Sequence, residues 1–245
     1  MRESGTPELK RILGDIRSEY QRSGDLRAMI ANLGDVPRWM RSRRKGHGGP
    51  LQDRIPWIPY RARRYLGHYL KPGMKVFEWG SGGSTAWLLE RGAHVVSVEH
   101  DEAWVQDVTH ALELVNAKSS WKLHFVSPRF DSSLRNDFGA EEEIAFCRSR
   151  SEKYRLADFA TYVHSIDTYP DRHFDCVMVD GRARPACLIR GAEKVAEGGI
   201  LVLDNSDRSS YQSSMRLMDS RFSRITFRGL CPYIRDLSET TIWQL

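Results

Sequence analysis

The chain is 245 residues long, 40% hydrophobic and 28% charged, with a formal net charge of +5. That length suits one large domain with a core of its own, and no apolar run approaches the roughly 20 residues that span a bilayer. The polar start MRESGTPELK has no apolar stretch of a secretory signal, and the cysteines Cys147, Cys176, Cys187 and Cys231 form no C-x-x-C pair, which fits a reducing cytoplasm rather than a disulfide or cysteine–zinc scaffold.

Residues 7–33 place Leu9, Ile12, Leu13 and Ile16 at helical spacing, with a weaker repeat at Leu26, Met29 and Ile30, so one or two amphipathic helices are predicted. The stretch 41–50 is rich in glycine and reads as a connector. In 55–70 two prolines give a rigid approach, and Ala62, Tyr65, Leu66 and Tyr69 make a short helical face. The pattern then alternates. Strands are predicted at 75–79, 94–99, 121–126, 174–180 and 199–204, with helices at 84–92, 101–115, 185–196 and 208–220. Trp104, Val108, Leu112 and Val115 share one side of the second of these helices, and Trp104 and Trp121 are expected in the core. Two last strands, 224–229 and 239–245, are joined by a loop of about nine residues, which suits an antiparallel pair.

This order predicts an α/β fold: a Rossmann-like open sheet, mostly parallel with one antiparallel terminal strand, and helices on both faces. Residues 1–54 read as a helical and basic extension and 55–245 as the main domain. Its insertion, around 127–173, is either a crossover helix with a solvated loop or a lid for substrate recognition.

Chemistry concentrates first in Glu78-Trp79-Gly80-Ser81-Gly82-Gly83-Ser84-Thr85, between a strand and a helix. Glycines let a backbone approach a ligand closely, and a helix start offers free N–H donors. Glu99 ends the next strand, where an acid can accept hydrogen bonds from a ribose diol. His100 follows it. Asp180 ends the fourth strand, and Asp204-Asn205 ends the fifth. Arg182, Arg184, Arg208 and Arg235 fall on loops near the same end, as an anion clamp or as surface charges. Tyr211 is either a substrate-positioning hydroxyl or a packing residue.

These residues resemble the class I S-adenosylmethionine-dependent methyltransferases over about residues 55–245. The resemblance implies that Glu78, Gly80, Ser81, Gly82, Ser84, Thr85, Glu99, His100 and Asp180 bind S-adenosyl-L-methionine. It also implies that Asp180 and Asp204 serve catalysis. Asp180, Asp204 and Asn205 are similar to the Mg²⁺ ligands of the metal-dependent catechol-type O-methyltransferases, although Ala183 stands where that family has a lysine. Without a metal, the same residues are polar strand ends beside the cofactor. A G-x-G-x-x-G dinucleotide pattern is not followed, and Asp-Gly-Arg-Ala stands where nucleobase-methylating enzymes carry Asn/Asp-Pro-Pro-aromatic. Aminopropyl transferases share the fold and also place an acid near Asp180. The implied activity is O-methylation of a small-molecule or glycan-like acceptor, with Arg182, Arg208 and Tyr211 on the substrate side. A non-catalytic cofactor-binding protein, or an RNA or protein methyltransferase recruited by a basic band, are the alternatives.

That band is residues 36–75, with eleven Lys/Arg against one acid, Asp53. Nucleic acid, an anionic lipid surface and a merely solvated flank all fit such a run. Within it, 55–75 is expected to run over the cofactor pocket, and only 38–54 remains as an independent anion-binding strip. A basic rim beside a cofactor cleft and an anionic small-molecule acceptor are therefore expected, with nucleic acid disfavoured.

Overall fold

A computed structural model describes residues 5–44, 48–113, 120–134 and 137–245. Val115 and residues 45–47 of the expected connector lie outside them. Two helices, α1 (Gly5–Ser23) and α2 (Leu26–Ser42), precede α3 (Tyr60–Tyr69). Then follow β1 (Lys75–Trp79), α4 (Gly83–Leu89), β2 (His94–Glu99), α5 (Glu102–Glu113) and β3 (Trp121–Phe125). The insertion holds β4 (Arg129–Phe130), α6 (Ala140–Ala145), β5 (Ala157–Asp158) and α7 (Ala160–His164). The chain closes with β6 (Phe174–Val179), α8 (Arg184–Ala192), β7 (Val195–Asp204), α9 (Gln212–Asp219), β8 (Ser223–Leu230) and β9 (Leu237–Gln244).

Seven strands form one sheet in the order β3-β2-β1-β6-β7-β9-β8, and β4 pairs with β5 apart from it. The four pairings from β3 to β7 run parallel, and β9 lies antiparallel between β7 and β8. This is the predicted open sheet. Some boundaries moved: the helix expected at 84–92 stops at Leu89, that at 208–220 begins at Gln212, and that at 185–196 stops at Ala192, where Val195 already pairs with Phe174 as β7 begins. Apolar periodicity cannot separate a buried helix end from a buried strand start.

Alternation along the strands divides the core. Phe77, Trp79, Val177, Val179, Leu201 and Leu203 face one side, against α7, α8 and α9. Val76, Val95, Cys176, Met178, Ile200 and Val202 face the other, against α3 and α4. Burial on both faces is why these strands read as near-continuous apolar runs.

The N-terminal helices cover the β8 edge. Ile12 and Ile16 are buried as expected, but Leu26 and Ile30 are exposed. The buried stripe of α2 is instead Ala28, Asn32, Asp35 and Trp39, two of them polar. Each polar member has a partner. Asn32 Oδ1 accepts from the Leu230 N–H at 3.0 Å, occupying the open edge of the strand, and Asp35 takes both arms of Arg64 at 2.8 and 2.9 Å. Trp39 Nε1 donates to the Ile234 carbonyl.

Part of the basic band is paired with acids nearby. Arg43 pairs with Glu8, Arg54 with Glu90, Arg61 with Asp25 and Arg64 with Asp35. Helix α3 lies on β8 and in the core cluster of Val76 and Trp87, and from the expected cover of the pocket it is Trp57 that reaches a cavity wall. Replacing Asn32 by Ala leaves a buried edge N–H without an acceptor, and should destabilise the fold by about 1–3 kcal/mol. Urea unfolding with an unchanged m-value is the check.

Candidate functional site

Strand order reverses between β1 and β6, where open α/β sheets form a crevice at the carboxyl strand ends. A cavity of about 560 Å³ opens there. Its floor is the turn after β1. Gly80 has φ of +95°, a conformation that disfavours side chains, and Gly83 has Pro50 O within 2.2 Å of where a Cβ would sit. Any larger residue at 83 would push the 50–55 segment off the turn.

Two carboxyl groups hold this turn from opposite sides. Glu78 is 1% exposed and shares the α4 face of β1 with Val76. It accepts hydrogen bonds from Ser84 Oγ at 2.9 Å, Ser97 Oγ at 2.7 Å and Thr85 Oγ1. Thr85 Oγ1 in turn accepts from the Gly82 N–H at 2.9 Å. Burial lifts the Glu78 carboxyl to about 7, against the three hydroxyl donors. Glu78 and Thr85 therefore lie behind the turn, and Ser84 reaches the cavity wall.

Glu99 holds the other side. Its Oε2 accepts from Ser81 N at 3.1 Å and Ser81 Oγ at 3.2 Å, and its Oε1 from the N–H groups of His100 and Asp101 at 2.7 and 3.1 Å. Burial would raise its pKa, but these donors and His100 overcome that and hold it below the ordinary glutamate value. Glu99 is thus an anion on the cavity wall, together with Gly80, Ser81 and His100. His100 Nδ1 lies 2.6 Å from Glu99 Oε1, and its Nε2 accepts from Arg182 Nε at 3.3 Å. The ring meets Tyr154, Phe159 and Tyr162 edge-on or tilted, so it fills an aromatic nest beneath the site.

Asp180, Asp204 and Asn205 also reach the cavity, with Arg182 and Arg208. Burial lifts the Asp204 carboxyl to about 7, the neighbouring Asp180 adds to the lift, and Arg184 opposes it. Asp180 is raised as well, by burial first, with Arg184 again opposing. Thr240 Oγ1 donates to Asp204 Oδ1 at 2.8 Å. Tyr211 is buried and accepts from Arg208 Nη1 at 2.9 Å.

A second cavity of about 300 Å³ adjoins the first across the loop Gly181–Arg184. Tyr211 and Arg150 line it, with Arg182, Arg184 and Arg208 shared between the two. Arg235 is placed elsewhere. It lies 3.5 Å from Glu8 of α1 and is largely exposed, which removes it from the expected clamp.

Several wall residues had no sequence signal. Lys153 and Tyr154 come from the insertion, which so contributes to both cavities, and Lys153 reaches Asp101 at 3.2 Å. Trp104 was expected in the core. Instead its ring covers Gly82, its Nε1 donates to Ser81 O at 2.8 Å, and it lines the cavity, 37% exposed. Helical spacing put it in line with Val108 and Leu112, which are buried, but it sits in the first turn, past the rim of the sheet. Trp121 is partly buried and donates to Ser97 Oγ at 3.0 Å.

Neither a family sequence model nor a curated protein matches the chain. Solved structures do. The chain is similar to the O-methyltransferase from Bacillus cereus in complex with SAH, at 13% identity and a TM-score of 0.55, over 88% of this chain and 90% of that one. It is also similar to the O-methyltransferase TomG from Streptomyces achromogenes, involved in tomaymycin synthesis and in complex with SAM. That match has 13% identity and a TM-score of 0.53, over 87% of this chain and 96% of TomG. The likeness is one of fold. The chain has the fold of the class I S-adenosylmethionine-dependent methyltransferases.

The titration of Glu78 makes a checkable claim. Its carboxyl ionises near 4.5 when free and near 7 in the fold, so the native state holds the extra proton between those values. Its stabilisation is full below the lower value and is lost as pH rises through the upper one. Asp204 contributes a slope of the same sign. Glu78→Gln should therefore flatten, without abolishing, the fall in urea midpoint between about pH 5 and about pH 8.

Proposed function

We propose that the chain transfers a methyl group from S-adenosyl-L-methionine to an oxygen of a small, anionic acceptor. The observation that carries this reading is the pair of adjoining cavities at the strand ends, whose charges differ. In the larger, Glu99, Asp101, Asp180 and Asp204 balance Lys153, Arg182, Arg184 and Arg208. In the smaller, Arg150, Arg182, Arg184 and Arg208 face one acid, Glu143. A balanced cavity suits a cofactor that carries a carboxylate, an ammonium and a sulfonium. A basic one suits a carboxylate, phosphate or uronic-acid acceptor.

The residues of the larger cavity fit the cofactor. The close-packed turn Gly80–Gly82 would receive its methionine part, and the Glu99 carboxylate would accept from its ribose hydroxyls. When bound, the cofactor supplies an electrophilic methyl group on sulfur. Holding an acceptor oxygen in line with that methyl is the chief task left to the chain, and proximity alone supplies a large part of the rate. Asp180 and Asp204 are the carboxyl groups at the junction. With Asp204 titrating near 7, the pair can take the acceptor's hydroxyl proton at neutral pH. Arg182 and Arg208 would hold the acceptor's anionic group, with Tyr211 fixing Arg208.

Recruitment by RNA is the weaker reading, because four arginines of the basic band, Arg43, Arg54, Arg61 and Arg64, are already paired with Glu8, Glu90, Asp25 and Asp35. Among the described residues no helix is long and apolar enough to cross a membrane. The expected compartment is the cytoplasm.

Calorimetry with S-adenosyl-L-methionine tests the cofactor reading, and absence of binding to the unmodified protein overturns it. Glu99→Ala should weaken that binding at least about tenfold, through the loss of charged hydrogen bonds. Asp204→Asn should leave binding intact and lower turnover about a hundredfold, and in the unmodified enzyme turnover should rise with pH through about 7. Acceptors matched except for one carboxylate or phosphate should separate by at least about tenfold in kcat/KM.

A further inference from the structure

Asp180, Asp204 and Asn205 bring together the side-chain oxygens that a divalent cation would need at the ends of β6 and β7. Asp180 and Asp204 converge on the guanidinium of Arg184, and Asn205 Oδ1 is shared between Arg184 and Arg208, whose Nη2 donates to it at 2.9 Å. Arg184 Nη2 donates to Asp180 Oδ1 at 2.7 Å, Nη1 donates to Asn205 Oδ1 at 3.2 Å, and Nη1 lies 3.5 Å from Asp204 Oδ2. Backbone carbonyls complete the set: Gly181 accepts from Nε at 3.0 Å, and Asp180 and Asp204 accept from Nη2 and Nη1 at 2.6 Å each. Every nitrogen of the fork is engaged, and Arg184 is 8% exposed.

Local backbone aims it there. Ala183 adopts φ +48° and ψ +38°, an uncommon conformation for a residue with a Cβ, and this turns the first residue of α8 back over the strand ends. The donor set therefore does not fit a metal while Arg184 stands in it: a Mg²⁺ ion demands oxygen ligands at about 2.1 Å, within the space the guanidinium fills. Among the described residues, no group of three or more His, Cys, Asp or Glu is placed to hold one.

We infer that Arg184 is a built-in cation that takes the place of a divalent metal, so that the junction of the two cavities closes to Mg²⁺ and transfer proceeds without it. An arginine cannot exchange with solvent, keeps its charge at every accessible pH and matches a planar array of oxygens. With its nitrogens committed to the chain, Arg184 is a positioning residue. It fixes the Asp180 carboxyl through Oδ1 and ties the loop after β6 to the end of β7. The inference draws on the methyltransferase reading for its consequence in catalysis, but its test does not depend on that reading.

The test titrates the full-length protein with Mn²⁺, a paramagnetic stand-in for Mg²⁺, and follows free Mn²⁺ by electron paramagnetic resonance. The unmodified protein should bind no stoichiometric Mn²⁺ up to about 1 mM, a range in which an open oxygen site would begin to fill. Arg184→Ala, or Arg184→Gln if the first variant does not fold by circular dichroism, should gain one site, at least about tenfold tighter than any binding by the parent. Adding Asp204→Asn should abolish the gain. Stoichiometric binding by the unmodified protein that Asp204→Asn removes would overturn the inference, as would a folded Arg184 variant with no gain. Where turnover is measurable, EDTA should leave it unchanged, and loss of turnover restored by Mg²⁺ also overturns it. Failure to bind S-adenosyl-L-methionine would sink the proposed function and leave the Mn²⁺ result standing.

Discussion

A buried carboxyl that cannot find water sets the geometry of the site. Glu78 sits inside the sheet on the α4 face, and its oxygens are satisfied by the hydroxyls of Ser84, Thr85 and Ser97. Those hydroxyls belong to the start of α4 and to β2, so one side chain ties β1, α4 and β2 together. The turn between β1 and α4 is left with little freedom, because Thr85 passes the constraint on to the Gly82 N–H. Burial of a charge is expensive, and the raised Glu78 pKa is how that cost shows. Glu99, some twenty residues later, has the opposite character. Backbone N–H groups surround it and keep it ionised at the cavity wall. Two glutamates at neighbouring strand ends thus split into a buried strut with a raised pKa and an anion at the cavity wall.

Charge is sorted at a larger scale by the same rule of local partners. Seen along the chain, residues 36–75 are strongly basic. Seen in space, Arg43, Arg61 and Arg64 meet Glu8, Asp25 and Asp35 and help to dock the N-terminal helices, and Arg54 meets Glu90. The arginines that keep a role at the cavities come from the other end of the chain. Arg182 and Arg184 follow β6, Arg208 follows β7, and Arg150 comes from the insertion. Of these Arg184 is the most enclosed, and its partners fix the strand ends that the other three surround.

The insertion acts as a wall. Lys153 and Tyr154 close the larger cavity and Arg150 the smaller, while Tyr154, Phe159 and Tyr162 form the aromatic nest around His100. A segment that breaks the strand–helix rhythm therefore links Glu99 to the arginine-rich cavity through His100 and Arg182.

The sheet was legible in the sequence because its strands are buried on both faces, which concentrates Val, Ile, Leu and Phe into short runs that glycine turns punctuate. So were the glycine turn and the acids Glu99, Asp180 and Asp204, since strand ends bring those positions to one crevice whatever the loops do. What lies between them was not. The split between Glu78 and Glu99 depends on which side of β1 each carboxyl faces and on which hydroxyls reach it. The place of Trp104 depends on where α5 passes the rim of the sheet, and the pairing of Arg64 with Asp35 depends on how α2 docks. Arg184 makes the point most sharply. In sequence it is one arginine of several on a loop; in the fold it fills the space between Asp180, Asp204 and Asn205. Residue type and spacing determine which groups arrive at the strand ends. Only packing decides which oxygens are already taken, because a hydrogen bond reaches about 3 Å and sequence carries no distance at that scale across separate elements.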